Sequence, residues 1–382
     1  NLTQVRSICP HFGIMEQQSG ANGWNTRMEA PAPKPGQLTL WAMQSIAHGA
    51  DYVSFFRWRT CTMGTEIYWH GILDYDSRDN RKLAEVKELS RRLPAMGAVA
   101  GSEYKASFGV LRDYDNVWDS EVDVWHSRLI RSSEAEIFKT SQLTHTPMDF
   151  VYLLDDTEVN ELCRYPVLFY PHPLILTKER SDLLKQYVEM GGTLIIGART
   201  GQKDITGKCV MEPMPCLLRD LTGSSVREFT FIGPADDPQT MTWGAEHLPT
   251  GVFSDILDAE VPDAEVLASY DTDFYKGSAA LIKRAYGKGT VLHFGGTFTF
   301  DNVTAFLRYT KVLSPWSDLV SLPRDCELAV RRKDQKQYLF VLNFSRDAQK
   351  ICLKKSVKDM DTGLTVDGEE ILPPFGCRVY EI

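Results

Sequence analysis

The chain has 382 residues, 43% hydrophobic and 24% charged, a balance that excludes a disordered chain, a collagen-like fibre and a coiled coil. Its formal net charge of -9 argues against a nucleic-acid partner, which needs a basic face. Apolar runs such as Val167–Tyr170 and Thr193–Gly197 fall far short of the ~18 residues that suggest a membrane span.

From the N-terminus, Phe12–Glu16 reads as a short apolar strand ending in a carboxylate. A loop rich in Gly, Asn and Pro leads to Pro35-Gly36. Beyond it, Leu38, Trp41, Ala42, Ser45, Ile46 and Gly49 recur at i, i+3, i+4 spacing and predict a helix with one buried face. Asp51–Trp58 is the next strand, and a long loop from Arg59 to Asp79 follows it. A charged helix spans Asn80–Leu93, with Leu83, Val86, Leu89 and Leu93 inward and Pro94 at its end. This β-α-β-α order builds a doubly wound sheet or a (β/α)8 barrel, and both place function in loops at the carboxyl ends of strands. Two such units are too few for a barrel, which needs ~250 residues.

A second α/β pattern runs from about residue 102 to 310. Strands at Ala106–Leu111, Phe150–Leu154, Val167–Tyr170 and Thr193–Gly197, with helices at Ser132–Gln142 and Lys178–Met190, predict an open parallel sheet. The Pro- and Gly-rich stretch 200–280 reads as irregular, and Ala280–Arg284 with Thr290–Phe294 reads as a hairpin. From about residue 320 the pattern changes to short strands at Leu328–Arg331, Tyr338–Asn343, Lys350–Leu353, Glu370–Leu372 and Cys377–Tyr380, a small antiparallel β-domain.

The cysteines at 9, 61, 163, 209, 216, 326, 352 and 377 form no CxxC pair, which predicts buried, reduced thiols and neither a metal site nor a cofactor. With no signal-peptide pattern at Asn1, this points to a cytoplasmic location. His126, His145 and His172 have no His or Asp partner at ligand spacing and read as structural. Gly287-x-Gly289 and Gly295-Gly296 are not a dinucleotide fingerprint, since no βαβ unit follows.

The strongest chemical signal is Met15-Glu16-Gln17-Gln18-Ser19-Gly20, followed by Trp24. A strand-end carboxylate with an aromatic downstream suits a sugar site, because glycosidases place two carboxylates about the scissile bond and sugars stack on rings. The second signal is Phe56-Arg57-Trp58-Arg59, then Glu66 and His70: an aromatic wall, cations to orient carboxylates, and two groups able to hold hydroxyls. Each residue also has a plain structural reading, as solvated glutamate, surface ion pair or satisfied core histidine.

In order and spacing, MEQQSG with Trp24, the helix running into His48-Gly49-Ala50-Asp51, then SFFRWR, Thr65-Glu66 and WHGIL resemble the β-galactosidases of glycoside hydrolase family 42. The match is specific over roughly residues 10–95 and looser beyond. The resemblance implies an α/β fold class in three parts, as the C-terminal portion of such an enzyme. These are a partial (β/α)8 TIM barrel (1–98), a flavodoxin/class I glutamine amidotransferase-like α/β trimerisation domain (99–315), and a C-terminal β-sandwich domain (316–382). Amidotransferase chemistry itself is not expected. Pro171-His172-Pro173 follows the central strand where a catalytic Cys would stand, and Cys163 precedes that strand.

The resemblance also implies roles: Glu16 as the catalytic nucleophile, Trp24 and Phe56 as walls of the galactose subsite, Glu66 and His70 as hydroxyl-binding groups, and Arg57 and Arg59 as supporting residues. The expected partners are a galactoside substrate and two further copies in a homotrimer, in a bacterial cytoplasm, with no membrane. The family's acid/base Glu follows an Asn on the fourth barrel strand, which would lie before residue 1, as would the zinc-binding cysteines of some members. The chain alone is therefore expected not to hydrolyse galactosides. Its barrel remnant, with unpaired strand edges, is expected to be mobile or rearranged unless it packs on the second domain or on a neighbouring chain. The alternatives are a non-catalytic assembly or carbohydrate-binding module, and an α-L-arabinopyranosidase.

Overall fold

A computed structural model describes residues 1–24 and 28–382. They form two compact units, one made of Asn1–Lys105 with Ser314–Ile382 and one of Ala106–Leu313.

The first unit begins with α1 (Leu2–Ile8), β1 (Phe12–Gln18), the short antiparallel pair β2 (Asn22–Trp24) and β3 (Met28–Ala30), α2 (Gln37–Ala47), β4 (Ala50–Phe56), α3 (Arg81–Arg92) and β5 (Glu103–Tyr104). β1 and β4 pair in parallel, joined through α2. Gly36 opens α2 at φ 92°, where a Cβ would also stand 3.1 Å from that of Phe375, so only glycine fits. α3 starts at Asn80, whose side chain accepts a hydrogen bond from the Leu83 N–H at 3.0 Å.

The second unit runs β6 (Phe108–Arg112), α4 (Tyr114–Val122), α5 (Val124–Leu143), β7 (Met148–Tyr152), α6 (Val159–Leu162), β8 (Val167–Tyr170), α7 (Lys178–Glu189), β9 (Thr193–Ile196), α8 (Arg219–Thr222), β10 (Ser224–Phe231), β11 (Gln239–Trp243), β12 (Glu246–Gly251), β13 (Phe253–Ala259), β14 (Ala264–Tyr270), β15 (Ala279–Tyr286), β16 (Gly289–Phe294) and α9 (Phe300–Tyr309). Strands β7-β6-β8-β9-β16 lie side by side and parallel. Phe108, Phe169, Ile195 and Leu292 pack on one face, while Leu168, Leu194, Ile196 and Val291 pack on the other. Burial on both faces explains why these strands read as continuous apolar runs.

The sheet is mixed, not the purely parallel one expected. β15, β14, β11 and β12 continue it antiparallel, with β10 and β13 beside them. The stretch 200–280 therefore holds five strands where the sequence read as irregular. Prolines masked them, yet Pro249 stands on β12, the last strand of the sheet path, where a missing N–H is tolerated. The helical region before β7 is also longer than expected: Asp113 and Asp123 cap two successive helices, accepting from the N–H groups of Asn116 (2.9 Å) and of Trp125 and His126 (2.9 and 3.1 Å).

The chain then returns to the first unit with β17 (Val320–Ser321), β18 (Cys326–Lys333), β19 (Lys336–Asn343), β20 (Gln349–Asp359), β21 (Thr365–Leu372) and β22 (Cys377–Glu381). They hydrogen-bond as one sheet in the order β17-β20-β22-β19-β18-β5, with β21 on β20. β19 is buried on both sides. Tyr338, Phe340 and Leu342 pack with Leu40, Met43 and Ala47 of α2 and Leu89 of α3, while Leu339 and Val341 pack with Ile351, Leu353 and Leu372. Residues near both ends of the chain thus share one core.

A buried polar network lies in the same place. Arg6 Nη1 donates to His48 Nδ1 at 2.8 Å, His48 Nε2 lies 2.5 Å from Glu327 Oε1, and Gln44 donates to Glu327 Oε2 at 2.7 Å. The Arg331 guanidinium donates to the Ile46 and Ser102 carbonyls at 2.8 and 2.5 Å, and burial lowers its pKa to about 10.

All eight cysteines are free, but only Cys216, Cys326 and Cys377 are buried, whereas Cys9, Cys163 and Cys209 are exposed. The expectation of uniformly buried thiols therefore fails: Cys9 and Cys163 cap the C-terminal ends of short helices at the surface. Among the described residues no helix is long and apolar enough to cross a membrane.

Candidate active site

Two parallel strands end side by side, and their next residues build the site. β1 and β4 stay in register from Gly13↔Tyr52 to Ile14↔Val53, then shift to Gln17↔Phe55, so β1 has one extra residue at Met15–Glu16. Such a bulge re-aims the side chains it carries. Glu16 is exposed there and has no hydrogen bond or ion pair among the described residues. Immediately beyond β1, Ser19 is fully buried, and its Oγ donates to the Phe56 carbonyl at 2.8 Å, tying the ends of the two strands together.

The chain after β4 folds back on itself. Ile72 and Leu73 N–H groups donate to the Arg57 and Trp58 carbonyls at 2.8 and 2.7 Å, and Tyr68 N–H donates to Cys61 O at 3.0 Å. The return brings Glu66 and His70 back to Arg57. Arg57 Nη2 pairs with Glu66, and its guanidinium carbon stands 4.3 Å above the Phe56 ring. His70 is buried, stacked on Trp69 at 5.3 Å and edge-on to Phe56 at 5.9 Å.

Burial lowers the His70 pKa, and the nearby Arg57 and Lys82 charges add to this; a backbone contact with Phe56 and the charge of Glu16 oppose it. The imidazole is therefore neutral at physiological pH, and it senses both Glu16 and Arg57. Lys82, also buried, donates from Nζ to Gly71 O and Asp74 Oδ1, both at 2.9 Å, and fixes the backbone just after His70.

Of the residues singled out from sequence, Glu16, Phe56, Arg57, Glu66 and His70 come together. Arg59 is exposed and bridges, through its backbone, to Leu73. Trp24 ends β2, opposite Met28, and its side chain lies outside the described part of the structure. Ser19 and Trp69 lay within the quoted motifs without an assigned role, and Lys82 was not singled out.

The second unit's histidines are tied into the fold. His172 Nε2 bonds Ser133 Oγ at 2.8 Å and Nδ1 bonds Ala198 O at 2.9 Å, and burial drives its pKa down to about 3. His126 does have an acidic partner, Asp119 at 2.7 Å, which residue spacing had not revealed. Among the described residues no group of three or more His, Cys, Asp or Glu side chains is arranged to hold a metal ion.

A carboxylate, an arginine–carboxylate pair, a neutral imidazole and an aromatic ring, gathered at the carboxyl ends of parallel strands, define the class: an α/β protein with an enzyme-type polar site. The chain belongs to glycoside hydrolase family 42, the β-galactosidases, whose models match it in three consecutive stretches. Residues 3–96 match the β-galactosidase domain, 106–313 the β-galactosidase trimerisation domain, and 325–381 the β-galactosidase C-terminal domain.

Among curated relatives, β-galactosidase BgaA of Clostridium cellulovorans is 30% identical over 381 residues, covering 97% of this chain and 55% of that protein. β-Galactosidase LacZ of Heyndrickxia coagulans is 26% identical, with 97% and 55% coverage. The chain thus spans about half the length of the curated relatives it matches. The solved structures of Gan42B, a family 42 β-galactosidase, and of the Bacillus circulans sp. alkalophilus β-galactosidase superpose with TM-scores of 0.87 and 0.84 at 24% and 23% identity. Each match covers 100% of this chain and 55% or 57% of the other, and it establishes the fold.

Proposed function

We propose that this chain supplies the nucleophile side of a retaining β-galactosidase cleft. Glu16 attacks the anomeric carbon of a terminal β-D-galactose. The glycosidic C–O bond breaks as the Glu16–sugar bond forms, and the leaving oxygen takes a proton from a second carboxylic acid; water then releases galactose with retention. Phe56 and Trp24 wall the galactose subsite, Glu66 and His70 bind its hydroxyls, Arg57 pairs with Glu66 and holds it in place, and Arg59 is a supporting residue. Residues 1–98 act as the last units of a (β/α)8 barrel, 99–315 as a flavodoxin-like domain through which three copies assemble, and 316–382 as a β-domain. The second carboxylic acid is not assigned to any residue of this chain.

The observation that carries the reading is Glu16 itself: an exposed carboxylate, unpaired among the described residues, at a strand-end bulge, beside a neutral His70 and the Arg57–Glu66 pair. The test uses 2,4-dinitrophenyl 2-deoxy-2-fluoro-β-galactoside, whose leaving group departs without acid assistance. We expect one fluorogalactosyl adduct, mapped by peptide mass spectrometry to Glu16 and lost in Glu16→Gln. An adduct on another residue, or none at millimolar reagent, overturns the assignment.

A further inference from the structure

We infer that the backbone N–H of Ser19 fixes His70 as its Nε2–H tautomer, so that the imidazole meets a ligand as a hydrogen-bond donor through Nε2. Ser19 N donates to His70 Nδ1 at 3.3 Å. A backbone N–H can only donate, so this contact requires a lone pair on Nδ1, and a neutral ring must then carry its proton on Nε2. The opposite tautomer would set two hydrogens against each other and strand the Ser19 N–H in a buried position. Ser19 Oγ, 3.4 Å from the same nitrogen, gives its own proton to the Phe56 and Arg57 carbonyls at 2.8 and 3.2 Å.

The approach of the two segments is built in. A Cβ on Gly20 would stand 2.7 Å from Gly71 O, and one on Gly71 would stand 2.2 Å from Thr60 N, so neither position accepts a side chain without displacement. Lys82 Nζ, 2.9 Å from Gly71 O, holds the strap from the other side. Stacking on Trp69 and the Phe56 edge fix the plane of the ring.

The consequence is a division of labour. Glu16 and Glu66 are acceptors, while His70 Nε2 is a neutral donor, so a hydroxyl held between them has its lone pair and its proton assigned to different sides. That consequence rests on the proposed substrate role of His70; the tautomer does not. Ser19 is a positioning residue, acting through His70.

Imidazole 15N NMR of the 382-residue chain at pH 7.5 tests it, with His70 assigned by loss of its signals in His70→Gln. We expect a pyridine-like Nδ1 and a pyrrole-like Nε2 for His70. Ser19→Gly keeps the N–H and should keep that pattern. Gly20→Ala forces the segments apart and should yield averaged resonances. A pyrrole-like Nδ1 in the unaltered chain overturns the inference, as does an unchanged pattern in a folded Gly20→Ala variant. If the pattern is as expected but His70→Gln leaves fluorosugar labelling of Glu16 unchanged, the tautomer stands and the substrate role of His70 falls.

Discussion

Phe340→Ala tests whether the strand–helix segment that carries Glu16 is held by the C-terminal strands. Phe340 is fully buried on β19, in one cluster with Leu40, Met43 and Ala47 of α2 and Leu89 of α3. Truncating a buried Phe to Ala costs about 3–5 kcal/mol, as lost transfer energy plus a residual cavity. Both segments border this cavity, so both should lose protection. In a unit of this size each kcal/mol lowers Tm by roughly 2–4 °C, giving a fall of about 6–20 °C. Hydrogen exchange by mass spectrometry reads it site by site. Amides of α2 and β19 that exchange through unfolding of the unit should accelerate together, by about two to three and a half orders of magnitude, while those of 106–313 stay unchanged. Acceleration confined to β19, with α2 as protected as before, would refute the shared core. Rapid exchange of α2 in the unaltered chain would instead favour the mobile remnant expected from sequence.

Three further outcomes follow from the same geometry. Glu327→Ala leaves the buried His48 and the half-buried Gln44 without their acceptor, so chemical denaturation should show the first unit weakened by about 3–5 kcal/mol. Asp255 is fully buried and its carboxyl is pushed up to about 7, so the folded second unit holds that proton between about pH 4 and 7 and loses stability as pH rises through this window. His172 and His293 are driven down to about 3 by burial, so protons bind the unfolded state first and stability rises with pH up to about 6.5. The two effects oppose each other. Asp255→Asn should therefore steepen the rise in Tm from pH 4 to 6.5 and stabilise the unit by up to ~4 kcal/mol above pH 7; an unaltered profile by scanning calorimetry would contradict this. Finally, the 382-residue chain should show no efficient turnover of a nitrophenyl galactoside, and multiple rapid turnovers would mean that an acid carboxyl within it has gone unrecognised.

Much of the site was legible because its residues are local to two strand ends. Glu16 closes an apolar run, and Phe56-Arg57 closes another, so pattern alone puts them at the same end of a parallel pair. What stayed hidden depends on contacts across the sequence. Ser19 acts through a backbone N–H that every residue but proline has, and no residue type advertises that. Lys82 looked like the solvated face of a charged helix, yet it is only 7% exposed because Gly71 O and Asp74 receive its ammonium. His126 and Asp119 are seven residues apart, a spacing without meaning on one helix; the break at Asp123 folds α4 against α5 and brings them together. The antiparallel strands of 224–270 were lost for a related reason: prolines and glycines there mark edges and turns of a sheet whose partners lie far along the chain.

The shared core has a functional corollary. β1 and β4 are a two-stranded sheet among the described residues, and such a pair is marginal unless a face is packed. Its support is α2, whose apolar side chains meet Tyr338, Phe340 and Leu342, and whose C-terminal end is held by Glu327 through His48 and Gln44 and by Arg331 through the Ile46 carbonyl. A chain ending at Leu313 would expose that apolar face and leave His48, buried against Glu327, without its partner. The geometry of Glu16, Ser19 and His70 should then be lost, although the hydrogen bonds of Ser19 and the ring contacts of His70 run to residues 19–70. Fluorosugar labelling of Glu16 should accordingly vanish in the shortened chain, with a rise in binding of an apolar dye, while hydrogen exchange in 106–313 keeps its protection. Labelling retained at the full rate would mean that the strand ends hold their arrangement by the Ser19, Phe56 and Arg57 hydrogen bonds alone.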